Sequence, residues 1–327
     1  MKLITEITIK QEANITYESR VMMFGSCFSE NIGNRLEQLK FNVSNNPLGI
    51  LFNPCSIKES IRRIAEKRPF ISDDLFCRDG VWNSFLLHSK FAQLSEEAFL
   101  QNANRQVEAA HLFLQNATHI FITLGTAWIY ERSDTRQIVA NCHKEPQEMF
   151  IRRRIGIEEC SQALRDTVAT IRQINPNASI IFTVSPIRHW KDGAHDNQIS
   201  KSTLLLATEK IREEEPSVHY FPAYEIMMDE LRDYRFYAED MIHPNDLAIQ
   251  YIWEKFTSYG FSEETLNTLS RIEKIIAAVH HRPFNPESEG HRKFQERILA
   301  EMEELHQTHP FLNFQKEKEQ LMHPTPA

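Results

Sequence analysis

Val21-Met22-Met23-Phe24-Gly25-Ser26-Cys27-Phe28-Ser29 is the stretch whose reading decides the fold. Four apolar residues run without interruption, as in a strand of a parallel sheet covered on both faces. Gly25 permits a sharp turn. A helix-like pattern then runs from Ser29 to Lys40. A strand that turns through a glycine into a helix displays one side chain beside the helix N-terminus. Free N–H groups and the helix dipole favour an anion there. Two candidate nucleophiles, Ser26 and Cys27, stand side by side at that point.

The same alternation continues along the chain. Short apolar runs at Phe41–Ser44, Ile120–Leu124, Ile180–Val184 and Val218–Phe221 read as further strands. Helical patterns separate them at Ser56–Lys67, Ser95–Gln115, Glu158–Ile174 and Lys201–Glu214, and two more follow the last strand at Tyr224–Asp233 and Leu247–Tyr259. Strands alternating with helices imply right-handed βαβ units and a three-layer α/β fold around a parallel sheet. Two hairpin-like insertions interrupt the pattern. Asp79-Gly80 turns between Phe76–Arg78 and Val81–Phe85, and Ser133-Asp134 turns between Trp128–Arg132 and Gln137–Asn141. Both leave the sheet where loops could wall a site. After about residue 260 the pattern becomes helical only, at Glu263–His280 and Glu287–Gln307, with Asn285 as the expected N-cap and Pro286 at the first helical position of the second. The organisation expected is an α/β domain over residues 1–260 and a helical C-terminal extension over residues 261–327, its tail beyond Pro310 frayed.

Ligands of an open α/β sheet bind beyond the carboxyl ends of the strands. The residues after the five strands are Gly25-Ser26-Cys27, Asn45-Asn46-Pro47-Leu48-Gly49, Gly125-Thr126-Ala127-Trp128, Ser185-Pro186-Ile187-Arg188-His189 and, past one more helix, Asp240-Met241-Ile242-His243-Pro244-Asn245. Small, polar and titratable residues thus gather on one edge. Acyl transfer needs a nucleophile, a general base and an oxyanion hole. His243 is the natural base, and Asp240, three residues earlier, can hold its tautomer and stabilise the imidazolium. A second Asp-x-x-His, Asp192 to His195, lacks the position after the last strand. His143, Arg188 and His189 are candidates to bind substrate, Arg188 through a carboxylate or phosphate. Packing is the expected role of Trp82, Trp128 and Trp190.

Composition narrows the function classes. The chain has 327 residues and a net charge of -8, which argues against nucleic acid or an anionic membrane as partner. Arg152-Arg153-Arg154 reads as a solvated element end. The N-terminus lacks the apolar core of a signal peptide, and no stretch is long enough to span a bilayer. Five cysteines without a C-x-x-C spacing read as reduced thiols of a cytoplasmic protein, with no structural metal and no cofactor. The oligomeric state is left open.

Gly25-Ser26-Cys27-Phe28-Ser29 resembles the signature of the GSCFA family. Other stretches resemble it too: Asn46-Pro47-Leu48-Gly49-Ile50, Thr123-Leu124-Gly125-Thr126-Ala127-Trp128, Asn141-Cys142-His143-Lys144, Ser185-Pro186-Ile187-Arg188-His189 and Asp240-Met241-Ile242-His243-Pro244. That family is grouped with the SGNH (GDSL-like) hydrolases, so the resemblance implies a flavodoxin-like sheet and a nucleophile–His–Asp site. Laid over the superfamily's Gly-Asp-Ser block, Cys27 takes the nucleophile position. Gly49 takes that of an oxyanion donor, and Gly125-Thr126-Ala127 falls on Gly-x-Asn. Ala127 offers no side-chain donor, which leaves Asn53, Asn141, His143 or Thr126 to replace it. The function implied is ester hydrolysis of a small-molecule or glycan O-acyl substrate. An acyl-CoA-dependent acyltransferase, suited to a thiol, and a non-catalytic binding protein are the alternatives.

Overall fold

A computed structural model describes residues 5–281, 284–285 and 287–322. Its centre is a five-stranded parallel sheet. β1 (Arg20–Gly25) lies between β2 (Asn42–Asn45) and β5 (His119–Leu124), followed by β9 (Ser179–Val184) and β10 (Val218–Tyr220). Chain order therefore reverses between β1 and β5. This is the switch point of a flavodoxin-like sheet, where the crevice for a ligand opens.

Residue alternation along the strands divides the interior into two cores. Met22, Phe24, Ile120, Ile122, Ile180 and Phe182 face one side. There α2 (Pro54–Ala65), α3 (Glu96–Asn116), α4 (Ile157–Ile174) and α5 (Gly193–Glu214) cover them. Val21, Met23, Phe121 and Ile181 face the other, where they meet α1 (Cys27–Gln38) and α7 (Asp246–Gly260). Three C-terminal helices continue this second core: α8 (Glu263–His280), α9 (Glu289–Thr308) and α10 (Gln315–Met322). They contribute Leu269, Ile272, Ile275, Met302, Leu305 and Leu321.

The two insertions form β-structure. β3 (Phe76–Arg78) and β4 (Val81–Asn83) make one hairpin. β6 (Trp128–Arg132) and β7 (Ile138–Val139) make the other, and β8 (Phe150–Arg154) joins it as a third strand. The arginine run is thus a strand and not a solvated end. Arg152 pairs with Asp192, Arg153 with Glu131 and Glu159, and Arg154 with Asp196.

Other boundaries also differ from the sequence reading. α5 begins at Gly193, eight residues before Lys201. The stretch after β10 is one short turn, α6 (Ala223–Glu225), running into a π-turn at Ile226–Glu230. It ends when Leu231 N–H reaches the Ile226 carbonyl at 3.1 Å. Glu230 is drawn into the core there to meet Lys255 at 3.0 Å. The N-cap of α9 is Ser288, whose hydroxyl accepts from His291 N–H at 3.2 Å, and not Asn285. Pro286 lies outside the described residues. The tail forms α10, with Leu321 buried.

Candidate active site

Gly25 ends β1 in a conformation, φ +129°, that only glycine adopts readily. A Cβ on it would stand 2.1 Å from the Thr123 carbonyl oxygen of the neighbouring strand. Its N–H donates to Asn46 Oδ1 at 2.8 Å and its carbonyl accepts from Leu51 N–H at 2.9 Å, which ties the turn to the segment after β2. Ser26 is the N-cap of α1 and Cys27 is its first residue. The two candidates part here. Ser26 is buried, its hydroxyl without a hydrogen-bond partner among the described residues, whereas Cys27 is half-buried. Burial pushes the Cys27 thiol up, helped by Glu30 and opposed by its own backbone N–H. Its helix position therefore does not by itself make the ready thiolate that residue type and placement suggest. The N–H groups of Cys27, Phe28 and Ser29 precede the first intrahelical bond, which Glu30 N–H makes to Ser26.

Asp240 and His243 form one unit. The imidazole Nδ1–H donates to Asp240 Oδ2 at 2.5 Å, and the N–H groups of Ile242 and His243 both donate to Oδ1 at 2.9 Å. These three donors hold the Asp240 carboxyl low, at about 2. Met241 takes the left-handed conformation, φ 58°, that closes the loop. Asn245 caps α7 through Ala248 N–H at 3.1 Å and holds the Arg235 carbonyl at 2.7 Å. With Nδ1–H committed to the carboxylate, the neutral ring presents Nε2 as an acceptor. Both side chains are about half exposed, 51% for His243 and 47% for Asp240. The other Asp-x-x-His does not form a pair: Asp192 holds Arg152 and His195 is exposed in the first turn of α5. Among the described residues no hydrogen bond joins Cys27 to His243.

Two cavities open on this edge. One, of about 560 Å³, is lined by Phe52, Asn53, His88, Thr126, Trp128, Asn141 and His189 among others. The second, of about 490 Å³, is lined by Arg188, Met228, Tyr234, Tyr237 and Asp240 among others. Trp190 stands in the wall of both. Burial pushes His189 down to about 4, aided by the positive charge of Lys201, and so keeps its ring neutral.

Several expected donors are already engaged. Gly49 N–H donates to Asn46 at 2.8 Å, and the N–H groups of Gly125 and Thr126 share the Phe52 carbonyl at 2.7 and 2.9 Å. The Thr126 hydroxyl accepts from Trp128 N–H at 3.1 Å and shares a hydrogen bond with Ser200. His143 is not in the cleft lining. Its Nε2–H is held by the carbonyls of Ser84 and Leu87 at 2.8 and 3.1 Å, and its ring packs on Phe76. Among the described residues Asn141 and Asn53 spend only their carbonyl oxygens, on His143 N–H and Ser56 N–H at 2.8 Å, which leaves their amide N–H₂ groups as donors.

The sequence reading missed two residues here. His88 packs on Gly49: a Cβ on that glycine would lie 2.1 Å from the His88 Cβ. Lys90 N–H donates to His88 Nδ1 at 3.2 Å, which leaves Nε2–H as a donor in the cleft. Burial and Lys90 hold this ring neutral. Glu30 acts electrostatically on both His88 and Cys27. Lys201 is wholly buried and donates to the carbonyls of Gly125 and Ser185 at 2.6 and 2.7 Å. It clamps the carboxyl ends of β5 and β9.

A model of the GSCFA family matches residues 20–256. The chain belongs to the GSCFA family. A second model, the GSCFA domain protein C-terminal domain, matches residues 272–323 of this GSCFA protein. No curated protein matches it. Among solved structures it is similar to an acetyl xylan esterase from the rumen bacterium Butyrivibrio proteoclasticus. The two are 12% identical with a TM-score of 0.40, over 74% of this chain and 63% of that one. It is also similar to a Clostridium thermocellum family 3 carbohydrate esterase, at 11% identity and a TM-score of 0.32, over 77% of this chain and 97% of that one. Among the described residues of this GSCFA protein no cluster of His, Cys, Asp and Glu could hold a metal ion. No described helix is long and apolar enough to cross a membrane.

Proposed function

We propose that this protein is an ester hydrolase acting on an O-acyl substrate, with Cys27 as nucleophile, His243 as base and Asp240 as the group that orients His243. The observation that carries this reading is the Asp240–His243 hydrogen bond of 2.5 Å. It is set on the same sheet edge as a reachable cysteine at the start of a twelve-residue helix. Nε2 of His243 takes the thiol proton, and the thiolate attacks the acyl carbonyl to give an acyl-enzyme. The same imidazole returns the proton to the leaving alkoxide, then activates water for the second half-reaction. The raised thiol is consistent with a nucleophile that loses its proton only as the imidazole and substrate close on it, since such contacts are often long without substrate. The free N–H groups at the start of α1 and the neutral His88 Nε2–H stand in for the absent asparagine at Ala127.

A thiol also favours exchange with thioesters, so an acyltransferase drawing on an acyl-thioester donor is the second reading. An activated acyl probe tests both. Covalent labelling of Cys27 that His243→Ala abolishes supports the shared chemistry, and labelling that persists in that variant refutes it. Breakdown of an acyl-thioester that accelerates only with added alcohol acceptor selects the transferase.

A further inference from the structure

The cavity beside the Asp240–His243 loop is lined by charged residues that are paired, with one exception. Asp240 holds His243, Asp233 accepts from Arg235 at 2.8 Å, and Arg232 donates to Asp229 at 2.8 Å. Among the described residues Arg188 has no such partner. Its one hydrogen bond to them runs from Nη2 to the Met228 sulfur at 3.3 Å, and its Nε is buried with no acceptor among them. A thioether is a weak acceptor, and a half-buried guanidinium left on it is poorly compensated. Carboxylates are not scarce in a chain with 45 acidic and 37 basic residues, and all three arginines of β8 have found them. Buried Lys201 lies within electrostatic reach of Arg188 and adds positive potential beneath it. Tyr234, Tyr237 and Trp190 supply polar tips and flat walls around the same space.

The geometry points to an anion subsite. Arg188 anchors an oxyanion group, a carboxylate or phosphate carried by the substrate beside its scissile ester, in the cavity between Trp190 and Tyr237. The planar guanidinium fork suits either group. This inference rests on the acyl-transfer reading for the word substrate, but the anion subsite itself does not depend on catalysis.

The test uses the full chain and two kinds of readout. For turnover, the kcat/KM for a carboxylate-bearing nitrophenyl ester (the hemisuccinate) is divided by that for the neutral acetate, and the acetyl ester of a sugar phosphate is compared with the acetyl ester of the plain sugar. The expected result is a preference of tenfold or more for the anionic member of at least one pair, collapsing towards one in Arg188→Gln and partly kept in Arg188→Lys. For binding, calorimetric titration with succinate and with inorganic phosphate is expected to show affinity that Arg188→Gln weakens at least tenfold. Whichever anion binds names the group. Binding lost in Arg188→Gln, with no ester of either kind turned over, keeps the anion subsite and sinks the hydrolase reading. Equal turnover of anionic and neutral esters by the unaltered protein, together with no binding of either anion, overturns the subsite, and that comparison needs no variant to fold.

Discussion

At the scale of single residues the site turns on which side chains face outward. Ser26 and Cys27 are neighbours in sequence, yet an N-cap residue with extended backbone (φ −75°, ψ 178°) sends its side chain elsewhere than the first helical residue does. That difference is invisible in a string of letters: the resemblance put Cys27 at the nucleophile position, and the start of helix α1 at Cys27 adds that Ser26 is buried while Cys27 is half-buried. His243→Ala is expected to lower turnover of a simple ester by about three orders of magnitude or more, whereas His195→Ala leaves it within twofold. Initial-rate assays of the two variants side by side decide it, and comparable rates would refute the assignment. His88 had no sequence signal at all, because only the fold brings the turn after β4 onto Gly49. As a neutral donor to the oxyanion, its loss in His88→Ala should cost about a hundredfold in kcat with little change in KM, and His88→Gln should restore part of it. A loss confined to KM would assign His88 to binding alone.

Elements fix where those residues stand. The central strands β1, β5 and β9 were legible because buried parallel strands are largely apolar runs, and the positions after the five strands did define the edge on which the two cavities open. The start of α5 was not legible, since Gly193-Ala194-His195-Asp196-Asn197 carries no apolar face. The helix read at Tyr224–Asp233 exists only as far as Glu230, as one α-turn running into a π-turn, and periodicity gave no sign of the wider turn or of the Glu230 contact with Lys255. β8 hid behind its arginines, whose charges are met by other elements. Gly25→Ala is expected to cost about 1–3 kcal/mol from backbone conformation alone, with the clash against Thr123 added, and urea unfolding measures it. Lys201 gives a pH prediction. Its folded pKa is pushed down to about 7 by burial, against 10.5 as the ordinary value. The unfolded chain therefore binds more protons between about pH 7 and 10.5, and stability from this group rises with pH across that window. Lys201→Met removes the dependence, so the melting temperature of the variant minus that of the parent should fall as pH rises from 7 to 10. A constant difference would show that Lys201 does not titrate there.

At the scale of the whole molecule, the two cores are unequal in how they draw on the chain. The buried described residues of the α2–α5 side run from Met22 to Tyr224, whereas the α1 side joins residues 13–41 to residues as late as Leu321. The composition shift near residue 260 was readable, but the dependence of the α1 side on the C-terminal helices was not, because packing partners far apart in sequence leave no local trace. Ile275→Ala should destabilise the whole chain by about 2–5 kcal/mol in a single cooperative transition. A separate early transition confined to the C-terminal helices would refute a shared core.

α1 leans on these late helices through Ile32 and Leu36 in the shared core and Arg35 to Glu273 at 3.8 Å, and the turn that follows it through Lys40 to Glu317 at 2.6 Å. Ribosomes deliver a chain from its N-terminus at a finite pace, so Cys27 is made long before the helices that brace its own helix. At ordinary elongation rates that interval is on the order of tens of seconds. During synthesis the thiol is present while its support is not, and the nascent chain carries the sulfur proposed as nucleophile before it carries the means to hold it in place.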